Sequence, residues 1–237
     1  MKGKNKLFNH LPMPIWIIRH VDHERLGHIP GILDELKLPY RSISLSLNDP
    51  LPDLDEVSGV ITMGGPMSAY EKPQHSWIEE EEVFLRKTHE RGIPILGICL
   101  GGQILAQAFG AKIHKAPKAE IGWSPLTKTG QHDNSLLKGL DLPDFFQLHY
   151  DVFDLPKGAV NLLRSELTKH QMFRLGKSTY GIQFHPEANE TMLRSVVEQY
   201  CKDMPPEIGN EILRDIESRT AKGRAFLVQM IKRLFLP

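Results

Sequence analysis

The residues best suited to chemistry form the string Gly97-Ile98-Cys99-Leu100-Gly101-Gly102-Gln103. A cysteine attacks as its thiolate. Small residues two before and two after it permit the sharp strand-to-helix turn of a nucleophile elbow. Such a turn holds the side chain clear of the backbone in strained geometry. It also sets the sulfur at a helix N-terminus, where the dipole favours an anion. A buried structural cysteine beside packing glycines would give the same letters. A second string, Gln183-Phe184-His185-Pro186-Glu187, offers the groups a thiol needs. Proline pushes the residue before it toward an extended conformation, and residues two apart in an extended chain project to one side. Pro186 is therefore expected to turn His185 and Glu187 together off a strand end. Glu187 would orient the imidazole and support its charged form, the base-and-orienter half of a triad. In isolation a surface turn would read the same. A third string, Met63-Gly64-Gly65-Pro66, follows an apolar run. Acyl transfer needs donors for a tetrahedral oxyanion. The backbone N–H groups of Gly65 and Leu100 are the candidates, with Gly64 a candidate contact to the ligand. Alone, Gly-Gly-Pro is an ordinary turn.

These strings need elements to hold them. Short β-rich runs at 14–18, 41–47, 57–63, 93–98 and 179–184 alternate with helical stretches at 29–38, 76–90, 100–109 and 189–202. The run at 93–98 is almost wholly apolar, as in a parallel strand buried on both faces. Residues 111–180 hold shorter β-rich runs. The alternation argues for an α/β fold: a doubly wound, mostly parallel sheet with a small antiparallel β insertion. Ligands in such sheets sit beyond the carboxyl ends of the strands, where all three strings fall. Pro205-Pro206 marks a boundary between a domain at 1–204 and a helical extension at 205–237. Ile212, Ile216, Phe226, Met230 and Leu234 recur there at helical spacing, for packing on the domain or for association, including with a second copy.

Composition narrows the class. Lys plus Arg and Asp plus Glu both number 29, so neither a nucleic-acid footprint nor an acidic tail is present. The two cysteines, Cys99 and Cys201, are no disulfide framework and fit a reducing cytoplasm. Cys201 lacks flanking glycines and reads as structural. No run approaches the ~20 apolar residues of a membrane helix. His20, Asp22, His23 and His28 cluster after the first strand, but no cysteine joins them, and a solvated turn explains them better than zinc. Glu79 to Glu82 reads as a solvated helix start.

In this order and at this spacing, the three strings resemble those of class I (triad-type) glutamine amidotransferases, in particular stand-alone proteins similar to the amidotransferase domain of GMP synthase. The resemblance runs over about residues 15–200 and implies a flavodoxin-like fold. It implies Cys99 as nucleophile, His185 as base and later acid, Glu187 as orienter, Gly65 and Leu100 as oxyanion hole, and Gln103 at the amino-acid end of the substrate. The implied reaction frees ammonia from glutamine through a thioester and requires no metal or organic cofactor. The family's His-Gly-Asp stretch corresponds to His149-Tyr150-Asp151, all three candidate substrate contacts, with Tyr150 in the glycine's position. Its ring either narrows the pocket or points away. That departure motivates a second expectation, a γ-glutamyl peptidase acting on glutathione-like compounds. A third is a non-catalytic binding protein on the same fold. No ATP-binding Gly-rich loop occurs, so transfer of ammonia to an acceptor would need a separate partner, docked near the tail.

Overall fold

The structure is a computed structural model that describes residues 13–22, 26–130, 135–200 and 204–236. In chain order the elements are β1 (Ile15–Arg19), α1 (Ile29–Glu35), β2 (Tyr40–Ser44), β3 (Gly59–Thr62), α2 (Trp77–Glu90), β4 (Ile95–Ile98), α3 (Leu100–Ala108), β5 (Ile113–Ser124), β6 (Thr127–Lys128), β7 (Phe145–Phe153), β8 (Val160–Arg164), β9 (Met172–Leu175), β10 (Thr179–Ile182), α4 (Glu190–Tyr200), α5 (Pro206–Leu213) and α6 (Ile216–Phe235). Eight strands form one sheet in the order β2-β1-β3-β4-β10-β9-β8-β6. The first five run parallel, and the last three extend the sheet antiparallel. β5 and β7 form a separate antiparallel ribbon. The doubly wound, mostly parallel architecture expected from the alternation is present.

Both faces of the central parallel strands are covered, so β1, β3, β4 and β10 are buried almost throughout. Ile15 and Ile17 of β1 join a core completed by α1 and α6, while Trp16 and Ile18 face a second core against α2 and α3. A third cluster under α4 and α5 contains Phe146, Leu193, Val196 and Ile212. All four residues of β4 are buried, as its unbroken apolar run requires. α2 carries Glu79 and Glu80 in its first turn and Lys87 and His89 in its last, matching its dipole. No helix among the described residues is long and apolar enough to cross a membrane.

The tail differs from a single helix. α5 and α6 are separate, and the chain turns between them at Asp215, whose φ is 52°. Asp is among the few side chains that tolerate this left-handed conformation. Phe226, Leu227, Met230 and Ile231 of α6 belong to the core that contains Ile15 and Phe184. The strand at β8 carries no signal strong enough to have separated it from its flanking loops. Cys201 and His23 lie outside the described residues.

Candidate active site

Cys99 is the hinge between β4 and α3. Its φ of 51° and ψ of −108° lie outside the regions a side chain favours, a strain on the order of 1–3 kcal/mol. Neighbouring strands hold the strained turn in place. The Cys99 N–H donates to the Ile182 carbonyl at 2.8 Å, and the Gly101 N–H to the Met63 carbonyl at 2.8 Å. A Cβ at position 101 would lie 2.3 Å from the Thr62 carbonyl oxygen, so only glycine allows this approach. The sequence supplies small residues here because the elbow is pressed between β3 and β10.

His185 and Glu187 follow β10. The His185 N–H donates to the Phe146 carbonyl at 2.9 Å, tying this segment to β7. The chain turns at Pro186 and Glu187 rather than continuing extended. The turn, not strand alternation, brings His185 Nδ1 to 2.7 Å from Glu187 Oε1. Burial disfavours the imidazolium, but the Glu187 charge, then the charge and hydrogen bonding of Cys99 and the hydrogen bond of Glu187, outweigh it. The His185 pKa is held well above its usual 6.5. Among the described residues, Nε2 closes no hydrogen bond, so Cys99 acts on the ring chiefly through its charge.

Cys99, His185 and Glu187 border a cavity of about 560 Å³ together with Gly64, Gly65, Leu100, Gln103, His149, Tyr150 and Asp151. Every residue singled out for the site therefore faces one space. Among the described residues, no backbone carbonyl accepts the N–H of Gly65 or of Leu100.

The sequence model for "Glutamine amidotransferase class-I" matches residues 35–201. The chain belongs to the class-I glutamine amidotransferase family. A glutamine-hydrolysing GMP synthase of Latilactobacillus sakei is 32% identical over 188 residues, which is 78% of this chain but 31% of the synthase. Gamma-glutamyl peptidase 3 of Arabidopsis thaliana is 31% identical over 195 residues, 78% of this chain and 76% of the peptidase. The crystal structure of a glutamine amidotransferase from Thermotoga maritima superimposes with a TM-score of 0.87 at 30% identity, covering 96% of this chain and all of that one.

Within this amidotransferase fold several side chains sit differently from expectation. Tyr150 is 52% exposed at the cavity rim, so its ring does not fill the space. The Gln103 amide donates to the Asp151 carbonyl at 3.0 Å and to Gln183 at 3.4 Å, so its nitrogen is engaged by the protein. Asp151 accepts from Ser68 Oγ and, at 3.3 Å, from Tyr70 Oη, which ties β7 to the loop after β3. His149 is buried with Nε2 3.3 Å from Glu120 Oε2. Glu120 also accepts from Ser165, Thr168 and Gln171 at 2.9–3.0 Å. Burial pushes the Glu120 pKa up, but the adjacent His149 ring and the hydrogen bonds from Thr168 and Ser165 prevail and hold it below the ordinary carboxylate value.

Two readings of the sequence are corrected. Glu81 and Glu82 are buried, not solvated. Glu81 meets His20 and Thr62, and Glu82 meets Lys72 at 2.7 Å and Gln107 at 2.6 Å. Ile78, Glu81, Glu82 and Leu85 share the buried face of α2, and that i, i+3, i+4, i+7 spacing was the available signal. His20, read as part of a solvated turn, is fully buried. Among the described residues, no group of three or more His, Cys, Asp and Glu is arranged to hold a metal. Sequence reasoning also passed over Gln183, whose amide lies 3.7 Å from Cys99 Sγ. Its position two residues before His185 was the only signal.

Proposed function

We propose that this protein hydrolyses a γ-glutamyl amide, with glutamine as the simplest substrate, through a thioester on Cys99. One observation carries the reading. A cysteine on a strained elbow, a hydrogen-bonded His185–Glu187 pair and the backbone N–H groups of Gly65 and Leu100 border a single cavity. The Cys99 thiolate attacks the γ-carbonyl carbon, and the developing oxyanion accepts from the N–H groups of Gly65 and Leu100. The His185 imidazolium gives its proton to the departing amine as the C–N bond breaks. Water, deprotonated by the now neutral His185, then attacks the thioester. The C–S bond breaks, glutamate leaves, and the thiolate–imidazolium pair is restored. Glu187 holds the ring in one tautomer throughout. Ammonia freed in this way would pass to an acceptor on a separate partner. The direct test is ammonia release from glutamine by wild-type protein and by Cys99→Ala, with a loss of at least about a thousandfold expected. Equal rates would remove the reading.

A second reading has its own support. The peptidase relative is matched over 76% of its length and the synthase over 31%. At interior packing, the ten non-hydrogen atoms of glutamine fill on the order of 150–200 Å³, well short of the cavity's 560 Å³. The leaving amine must lie on the imidazole side of the thioester carbon. The cavity is also walled by one stripe of α4, Met192, Ser195, Val196 and Gln199. A leaving group larger than ammonia, such as the amino acid of a γ-glutamyl dipeptide, suits that wall. Comparison of kcat/KM for glutamine and for a γ-glutamyl dipeptide decides the matter. A strong glutamine preference would discard the peptidase reading.

A further inference from the structure

Under the turn that carries Gly65 lies a buried polar chain that the chemistry above does not use. His20, Thr62 and Glu81 are all fully buried. His20 Nδ1 lies 2.6 Å from the Gly64 carbonyl oxygen, and Nε2 lies 3.0 Å from Glu81 Oε2. Thr62 Oγ1 donates to the other oxygen, Glu81 Oε1, at 2.5 Å. The Trp77 indole stacks on the imidazole, with centroids 5.2 Å apart and planes 20° from parallel. A carbonyl can only accept, so Nδ1 carries a hydrogen and donates it. At the other end of the ring, Nε2 meets Glu81 Oε2. Both ends of the ring are therefore held.

Peptide planarity turns this contact into an aiming device. The Gly64 C=O and the Gly65 N–H belong to one rigid trans unit and point in opposite directions. Fixing the carbonyl on His20 therefore fixes the N–H, directed away from His20. The same turn is wedged in place: a Cβ at position 65 would come within 2.7 Å of Leu100 Cδ2 and 3.2 Å of His20 Cβ. A hydrogen bond to the carbonyl also polarises the peptide and strengthens its N–H as a donor. Gly64 and Gly65 line the cavity, whereas His20 and Glu81 do not.

We propose that His20, held by Glu81 and Thr62, is a positioning residue that aims the Gly65 N–H at the oxyanion. The role rests on the Cys99 reading above, although the clamp itself can be measured without turnover. An oxyanion donor acts in the transition state, so its misalignment lowers kcat and leaves KM nearly unchanged.

The test uses His20→Ala, His20→Asn and Glu81→Gln, with steady-state kinetics on the best γ-glutamyl substrate and backbone hydrogen exchange of the 63–68 segment. For His20→Ala, kcat is expected to fall about 10–100-fold with KM within about threefold of wild type. Exchange in the segment should accelerate. The Asn amide nitrogen can replace Nδ1 as donor to Gly64, so His20→Asn should recover most of kcat. A His20 that merely stabilises the fold would lower Tm without this split between kcat and KM and without rescue by Asn. If His20→Ala does not fold, His20→Asn and Glu81→Gln carry the comparison, with the Glu81→Gln loss falling in kcat. Unchanged exchange in every variant that folds, or a loss confined to KM, overturns the proposal. Wild-type protein inert toward every γ-glutamyl compound would instead sink the Cys99 reading and the catalytic role with it, while exchange would still decide whether His20 holds the turn.

Discussion

The imidazole of His185 is subject to opposed influences. Burial drives off its second proton, and Glu187 and Cys99 retain it. Its folded-state pKa lies above the unfolded 6.5. The stability it contributes is therefore complete below about pH 6.5 and lost as pH rises through the raised value. In the proposed mechanism the same imidazolium protonates the leaving group, so the alkaline limb of kcat/KM should report this pKa. Replacing Glu187 by Gln removes the largest influence that raises it. The alkaline limb should then move to lower pH, measured by full pH–rate profiles of both proteins. An unmoved limb would separate Glu187 from the titration of His185. The strings around Cys99, His185 and Glu187 were legible as one cluster, and the three side chains line one cavity, because the proposed chemistry would require those types at fixed places. Gln183, Glu120 and Glu81 were not. A glutamine or glutamate string reads as surface until tertiary contacts reveal the donor it faces.

The elbow works as an element because β4 and α3 meet with no room to spare. Gly101 sits against the end of β3, so the strand order β3-β4-β10 and the pose of Cys99 are one constraint. Gly101→Ala should lose about 3 kcal/mol or more from forced displacement, read as a lowered urea midpoint, together with most activity. A variant of normal stability and rate would contradict the close approach described. The β5–β7 ribbon carries a second constraint in Glu120. Its folded pKa is depressed, so it stabilises the fold above its ordinary value of 4.5 and ceases to as pH falls through the folded value. Glu120→Gln should be less stable than wild type at pH 7 and should lose less on acidification. Chemical denaturation at pH 7 and near pH 4 measures the difference, and parallel losses would refute it. The parallel half of the sheet was legible from its apolar runs. The antiparallel half was less so, since short half-exposed strands such as Val160–Arg164 lack a sustained period.

For the molecule as a whole, α6 is part of the interior. The Phe226 ring lies 4.8 Å from that of Phe145 and 6.1 Å from that of Phe184. Phe226→Ala should cost about 3–5 kcal/mol, measured by urea unfolding, with activity falling as the folded fraction falls. A cost below about 1 kcal/mol would mean that the tail packs loosely. The helical period in the tail identified Ile212, Ile216, Phe226 and Met230, which are buried, and Leu234, which is half-buried. The break at Asp215 was hidden, because a residue with positive φ leaves no mark in a hydrophobic pattern.

That packing has a consequence for biosynthesis. Phe184 precedes His185, and Phe145 precedes the residue whose carbonyl receives the His185 N–H. Neither ring is fully seated until residue 226 has left the ribosome. A nascent chain thus displays its thiol long before the imidazole beside it is braced. The site proposed for hydrolysis is therefore completed only late in synthesis.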